Sequence, residues 1–285
     1  MIVPFIHRMP MPSTTKLLLH TATAIEAQPL IGYYRLQRDH HYHPFPLYHN
    51  KERSIWLIES GIGSLNAASA ISAAFHYSQA QPSCVCLNIG IAGGEQPLGS
   101  VWQIHKITDT IVKKNEYPGL VSKSKIASIN LQTHPSPCSQ YAADSLVDME
   151  GSGFYSSASR YLVNEQIGLL KLVSDNSEYD HHQLNKQKIQ ALLQSQLQTI
   201  TQYCDQWLAH AESESIYHQT PPSYRDYLQQ QHFTQTQQHQ LKRLLQQWQT
   251  LYPERNPQQC TQQCSSSKTI LTTLNDELDQ VKTRW

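Results

Sequence analysis

Short apolar runs recur along roughly the first 210 residues of the chain, and half of them are followed by a segment with helical spacing. The runs are residues 16–23, 54–60, 83–91, 98–104, 145–149 and 167–173. Apolar runs of this length are typical of buried strands. Helical spacing follows at residues 24–31, 65–76 and 150–160. The pattern predicts an α/β domain in which strands alternate with helices.

Three carboxylates stand at or just after the ends of predicted strands: Glu26, Glu150 and Asp175. Open α/β sheets bind their ligands at the carboxyl ends of parallel strands, so we expect these side chains to converge on one cavity. Two of them, Glu26 and Asp175, also have an ordinary structural interpretation. A carboxylate such as Glu26 at a helix start is stabilised by the helix dipole, and Ser174, Asp175 or Asn176 would cap a helix.

A glycine turn, Gly61–Ile62–Gly63, follows another predicted strand. Glycine lets a backbone approach a ligand closely, and the next helix would offer free N–H groups to an anion. The third glycine of a dinucleotide-binding fingerprint is missing. Close packing of the small residues 67–70 against the strand explains the glycines equally well.

Charge and composition narrow the classes of partner. Twenty-two basic and 22 acidic residues give a formal net charge of zero, which provides no long-range attraction to nucleic acid or to an anionic membrane. No apolar run approaches the roughly 20 residues of a membrane span, and the amino-terminal lead lacks the apolar core of a signal peptide. We expect a soluble, cytoplasmic protein with no nucleic-acid or membrane partner.

The six cysteines are predicted to be reduced, as is usual in the cytosol. Cys260 and Cys264 could share a helix face, but no second pair completes a zinc signature. The sequence predicts neither a metal nor a cofactor.

Beyond Asn176, apolar spacing predicts three helices. The first covers residues 189–207; the second begins at Thr234, in capping-box spacing with Gln237; the third follows residues 265–267. The apolar stripes of the last two need a surface to cover them, which favours an interaction or dimer-covering hairpin. We therefore divide the chain into a lead (1–15), an α/β domain (16–212) and a helical extension (213–285).

Five sequence blocks occur in the order in which one enzyme superfamily carries them: Ala22–Glu26, Ser60–Gly63, Asn88–Gly94, Met149–Glu150 and Ser174–Asp175. With these blocks the chain resembles the nucleoside phosphorylase superfamily, and most closely its methylthioadenosine/S-adenosylhomocysteine nucleosidases. The resemblance implies a three-layer α/β/α fold with a mixed central sheet, to which the C-terminal helices are added. It also implies a homo-oligomer, here a dimer.

The resemblance assigns a role to each matched residue. Asp175 would donate a proton to the purine N7, and Glu26 would activate a water molecule. Glu150 would bind the ribose hydroxyls. Further residues would contact or position the nucleoside: Met149, Ser174, Gly93, Ile91 and Gly63.

The chain departs from the pattern of this superfamily at two positions and in one region. Ile91 stands where relatives often carry Ser or Thr. Lys171 stands where nucleosidases tend to have Arg, and lysine lacks the planar fork that binds a carboxylate through two hydrogen bonds. Residues 108–146 match poorly and are predicted to form a polar loop. Candidate base contacts there are Gln132, Thr133 and His134.

The implied activity is hydrolysis of an adenine nucleoside with a 5′ substituent, of the methylthioadenosine, S-adenosylhomocysteine or 5′-deoxyadenosine type. Phosphorolysis would need clustered arginines to hold a dianion. None stands near the glycine turns where phosphorylases use them, and a carboxylate at Glu26 would repel phosphate. The alternatives are a purine nucleoside phosphorylase and a non-catalytic nucleoside-binding scaffold.

Overall fold

The computed structural model divides into two compact units, residues 1–211 and 212–285. It describes residues 15–41, 44–52, 54–78, 80, 84–120, 124–179, 185–218 and 221–282. Of the expected lead, only Thr15 therefore lies among the described residues.

The first unit contains one mixed sheet. The strands among the described residues are β1 (Leu17–Thr21), β2 (Gln37–Arg38), β3 (Leu47–His49), β4 (Ile55–Glu59), β5 (Val85–Gly94), β6 (Val101–Asp109), β7 (Asn115–Glu116), β8 (Ser128–Thr133), β9 (Ser145–Asp148) and β10 (Ile167–Asp175). Their order is β10-β6-β8-β9-β5-β1-β4-β3-β2, with β7 paired to β6 and β10 also paired to β5. Strands β5, β9, β8, β6 and β10 thus close a ring of backbone pairing.

The sheet is mixed, and the parallel pairings among its central strands decide at which edge the carboxyl ends of those strands lie. β1 is parallel to β4 and β5, and β5 is parallel to β10, whereas β9 is antiparallel to β5. The predicted mixed sheet is confirmed. Because β1, β5 and β10 run in one direction, their carboxyl ends meet at the same edge of the sheet.

Helices cover both faces of this sheet. They are α1 (Ala24–Tyr34), α2 (Ser64–Ser78), α3 (Gly151–Ala158), α4 (Lys186–Ser195) and α5 (Leu197–His218). Ile71 of α2 and Phe154 of α3 share one core with Leu18 and Leu169. Apolar residues of α1, α4 and α5 form a second core on the other face, with Leu19 among its strand residues. The predicted three-layer arrangement is therefore confirmed.

The prediction of a polar loop over residues 108–146 is wrong, because this region contains β8. Ile129, Leu131 and Thr133 of β8 are buried, and the residues between them face outward. β8 is parallel to both β6 and β9. The alternation typical of a strand was present but covered only six residues.

Two helix predictions also need correction. Helical spacing was expected to end at residue 31, yet α1 continues through Pro29 to Tyr34. Pro29 is buried, so its packing against the core offsets the missing hydrogen bond. The helix predicted over residues 189–207 is two helices, α4 and α5, which meet at Gln196. The Ser195 hydroxyl donates to the Leu192 carbonyl there, 2.7 Å away.

The second unit has its own core, formed by α6 (Pro222–Gln230), α7 (Gln235–Leu251), α8 (Gln258–Thr261) and α9 (Ser267–Lys282). The predicted capping box is present: the Thr234 N–H donates to Gln237 Oε1, and the Gln237 N–H donates to Thr234 Oγ1. Leu241 and Trp248 of α7 pack in one cluster with Leu274 of α9. The two apolar stripes cover one another, so they no longer argue for a dimer contact.

Three of the cysteines belong to the cores of the first unit: Cys84 and Cys86 to one and Cys204 to the other. All six cysteines are free. Among the described helices, none combines the length and apolarity needed to cross a bilayer.

Candidate active site

A cavity of about 290 Å³ opens at the edge where β1, β5 and β10 end. Glu26, Glu150 and Asp175 all line it, although they are far apart in sequence. Its wall is otherwise largely apolar and consists of Ala22, Thr23, Ile62, Ile91, Ala92, Gly93, Ser136, Pro137, Cys138, Val147, Asp148, Met149 and Ser174.

Glu26 is held on both carboxylate oxygens. Oε2 accepts hydrogen bonds from the Thr23 N–H (2.7 Å) and the Thr23 hydroxyl (2.9 Å), and Oε1 accepts from the Ile91 N–H (2.9 Å). A Cβ atom on Gly90 would lie 2.9 Å from Oε1, so the carboxylate rests against a bare Cα. Glu26 therefore both caps α1 and faces the cavity, and the two interpretations of its position are compatible.

Glu150 follows β9 and precedes α3. Its Oε1 accepts a hydrogen bond from the Gly63 N–H, 2.7 Å away. Gly63 is not part of the cavity wall, and its positive φ of 107° is a conformation that favours glycine. Burial and the nearby charge of Asp148 raise the pKa of Glu150 to about 7, against the opposing effect of Lys171. Glu150 therefore changes its charge near neutral pH.

A buried ion pair between Lys171 and Asp148, which the sequence did not predict, lies close to Glu26 and Glu150. Lys171 Nζ lies 2.8 Å from Asp148 Oδ2, and both side chains are 1% exposed. Asp148 also accepts hydrogen bonds from the Thr133 hydroxyl and the Gly151 N–H. Burial alone would lower the pKa of Lys171, but the carboxylates of Asp148, Glu150 and Glu26 raise it above its ordinary value.

Lys171, which stands where nucleosidases tend to have Arg, does not orient Glu150 through a hydrogen bond. Its ion-pair partner is Asp148, and Glu150 is oriented by the Gly63 N–H instead. A signal for the pair was present in the sequence. Asp148 and Lys171 each interrupt an apolar run, and charged side chains buried in strands need a partner of opposite charge.

Asp175 is the last residue of β10, and hydroxyl groups hold both its oxygens. The Ser174 hydroxyl donates to Oδ1, and the Tyr141 hydroxyl donates to Oδ2 from 2.6 Å. A Cβ atom on Gly93 would lie 2.6 Å from Oδ2 and from Tyr141 Cε1. Gly93 lies within β5 rather than in a turn after it, and its missing side chain makes room for both residues.

The remaining predicted residues divide between wall and surroundings. Met149, Ile91 and Ser174 line the cavity. Thr133 binds Asp148, and Gln132 binds Ser145. The expected base contacts Gln132, Thr133 and His134 are not part of the cavity wall, where residues 136–138 stand instead. The sequence offered no signal for that loop, because its contacts depend on the unrecognised strand β8.

The arrangement favours ligands with hydroxyl or amino groups over anions. Four carboxylates face or adjoin the cavity, and the cation beside them, Lys171, is already paired with Asp148. The apolar wall matches a flat, uncharged ring. Buried carboxylates can accept hydrogen bonds from a sugar and exchange protons with a base or water.

No family model and no curated protein sequence matches this chain. Solved structures do. The 5′-methylthioadenosine nucleosidase of Arabidopsis thaliana is 16% identical, with a TM-score of 0.57 over 69% of this chain and 98% of its own. A methylthioadenosine/S-adenosylhomocysteine nucleosidase from Colwellia psychrerythraea in complex with adenine is 15% identical, with a TM-score of 0.55 over 69% and 96%.

A futalosine hydrolase mutant of Helicobacter pylori shares 11% identity, with a TM-score of 0.52 over 67% of this chain and 99% of its own. Identities this low establish similarity of fold only. The likeness agrees with the three layers and the mixed sheet described above. The chain adopts the α/β fold of the methylthioadenosine/S-adenosylhomocysteine nucleosidases.

Proposed function

We propose that the protein is a purine nucleoside N-glycosidase. It hydrolyses an adenine nucleoside of the methylthioadenosine, S-adenosylhomocysteine or 5′-deoxyadenosine type to free base and sugar. The observation that carries this proposal is the convergence of Glu26, Glu150 and Asp175 on one cavity of about 290 Å³. The nucleosidase fold supports it.

Cleavage of the glycosidic bond leaves positive charge on the sugar and negative charge on the departing purine. A proton on the purine N7 neutralises the leaving group, and Asp175 supplies it in this proposal. General-acid catalysis of this kind contributes about 10² to 10⁴ in rate. Ser174 and Tyr141 fix the carboxyl group through its two oxygens.

Glu150 binds the ribose. The Gly63 N–H occupies one lone pair of Oε1, and a carboxylate has further acceptor sites for two neighbouring hydroxyls. Met149, next in sequence and in the same wall, provides an apolar floor under the sugar. Hydrogen bonds to the hydroxyls that strengthen as the sugar flattens lower the barrier.

Glu26 activates the attacking water. Thr23 and the Ile91 N–H fix the direction of its carboxylate, which is 4% exposed. A fixed, buried carboxylate is a suitable general base because it is already oriented before the water binds.

The glycine turn supports hydrolysis over phosphorolysis. The Gly63 N–H donates to Glu150, and the Gly61 N–H donates to the Ala22 carbonyl 2.9 Å away. These amides are therefore not free to hold a phosphate. The carboxylates that line the cavity would also repel a phosphate dianion bound inside it.

The test is base release by the purified full chain from each of the three nucleosides, with and without phosphate. We expect adenine release without phosphate, and a loss of at least 10²-fold in kcat for Asp175→Asn and Glu26→Gln. Matched controls are Asp144→Asn and Glu165→Gln, exposed carboxylates outside the cavity wall.

Three outcomes contradict this assignment. Release only in the presence of phosphate identifies a phosphorylase. An inactive wild-type protein that binds a nucleoside identifies a scaffold. Full activity of Asp175→Asn removes Asp175 as the acid.

A further inference from the structure

Tyr141 contacts the proposed acid without belonging to the cavity wall. Its hydroxyl donates to Asp175 Oδ2 at 2.6 Å, and its ring lies against the Cα of Gly93. The turn that carries Tyr141 is anchored independently, because Gln96 Nε2 donates to the Ala143 carbonyl at 2.7 Å.

The pair Gly93–Gly94 makes this approach possible. A Cβ atom on Gly93 would lie 2.6 Å from Tyr141 Cε1, and one on Gly94 would lie 2.5 Å from Leu146 Cδ2. Side chains at both positions would push the 141–146 segment away from β5. The two glycines are therefore required for packing that brings Tyr141 to Asp175.

The two hydroxyls on Asp175 are not equivalent. Ser174 Oγ lies within reach of Asp175 Oδ1 and also 3.4 Å from the Ala92 carbonyl. A serine hydroxyl has one hydrogen, so it can donate to only one of them at a time. When Asp175 carries a proton on Oδ1, the Ser174 hydroxyl can turn to Ala92 while Tyr141 continues to hold Oδ2.

We propose that Tyr141 is a positioning residue that acts through Asp175. Its hydroxyl fixes Oδ2 as an acceptor and so holds the carboxyl group in the orientation from which it protonates the departing purine. This inference rests on the function proposed above. It adds a residue from outside the matched sequence blocks, on the turn between β8 and β9.

The test is a double-mutant cycle of Tyr141→Phe and Asp175→Ala in the full chain. Phenylalanine keeps the ring against Gly93 and removes only the hydroxyl. Tyr117→Phe is the matched control, because the Tyr117 side chain is 58% exposed. The readouts are kcat and KM for methylthioadenosine and, independently of turnover, the Kd of adenine measured by calorimetry.

Tyr141→Phe should lower kcat about tenfold or more and change KM less than twofold. It should also weaken adenine binding severalfold. Both effects should vanish in the Asp175→Ala background, because residues that act through one another are not additive. A 4-nitrophenyl riboside, whose leaving group needs no proton, should be cleaved equally by the wild type and Tyr141→Phe.

The outcomes separate this inference from the function on which it rests. Turnover by the wild type, with equal effects of Tyr141→Phe in both backgrounds, overturns the role of Tyr141 and leaves the function intact. Absence of turnover, with adenine binding that couples Tyr141 to Asp175, supports only the positioning of the Asp175 carboxyl group by Tyr141 and overturns hydrolysis. Absence of both turnover and adenine binding overturns both.

Discussion

Lys171 Nζ lies 2.8 Å from Asp148 Oδ2, and both side chains are almost completely removed from solvent. Lys171 sits on β10 opposite Gly90, and Asp148 ends β9 opposite Thr133. The pair therefore links β9 and β10, two strands of the closed ring, next to the cavity that Asp148 lines. Glu26 and Glu150 are close enough to raise the pKa of Lys171. The charge of Lys171 therefore interacts favourably with three carboxylates, those of Asp148, Glu150 and Glu26.

Removing the cation should destabilise the first unit strongly. We expect Lys171→Met to lower the free energy of unfolding by about 3–5 kcal/mol, because Asp148 would be left buried without a counter-charge. Urea unfolding measures this loss.

The matched control is Lys114→Met. Lys114 pairs with Glu116, but its side chain is 60% exposed, so its loss should cost at most about 1 kcal/mol. Equal effects of the two substitutions would show that the Lys171–Asp148 pair contributes no more to the free energy of unfolding than an exposed ion pair.

The protonation of Glu150 should control affinity for the sugar. Its pKa is raised to about 7, so the carboxylate needed by the ribose hydroxyls is lost as the pH falls through 7. We expect kcat/KM to fall about tenfold per pH unit below that value. The fall in kcat/KM below pH 7, which forms the acid limb of the pH profile, should be absent in Glu150→Gln.

Adenine alone provides the control for this prediction, because it has no ribose for Glu150 to bind. Its Kd should be independent of Glu150 protonation. A pH limb that persists in Glu150→Gln would assign the titration to another group.

The sequence predicted the parts of the site that depend on local pattern. β1, β5 and β10 are largely apolar runs, and the direction of parallel strands places Glu26 and Asp175 at one edge. The same pattern placed Glu150 with them, although β9 is antiparallel to β5. These features needed no knowledge of which strands are neighbours.

The parts that were missed depend on long-range register. Asp148 meets Lys171 because β9 pairs with both β5 and β8, and β8 was not recognised. Tyr141 reaches Asp175 only because its turn packs on Gly93 and Gly94. A sequence pattern shows that a buried charge or hydroxyl needs a partner, but it does not select the partner.

Two helical glycines should respond in opposite directions to the same substitution. A Cβ atom on Gly153 would collide with the Ser64 carbonyl where α3 crosses α2, whereas one on Gly32 in α1 would meet nothing within 4 Å. We expect Gly153→Ala to destabilise by about 2 kcal/mol or more, and Gly32→Ala to stabilise by about 0.5–1 kcal/mol. Thermal unfolding of the two variants checks the sign, and a neutral Gly153→Ala would show that the helices can separate without cost.

The Gly63 turn should affect ribose binding more than chemistry. At Gly63, φ is 107°, so an alanine there would be strained, and relief of the strain would displace the N–H that holds Glu150 Oε1. We expect Gly63→Ala to raise KM about tenfold and to lower kcat by a smaller factor, since the displaced carboxylate also loses hydrogen bonds that strengthen as the sugar flattens. Gly99→Ala is the control for backbone strain, because Gly99 also has a positive φ, 79°, but its N–H donates to the Val173 carbonyl and not to Glu150. If both variants alter KM equally, backbone strain rather than the contact with Glu150 explains the effect.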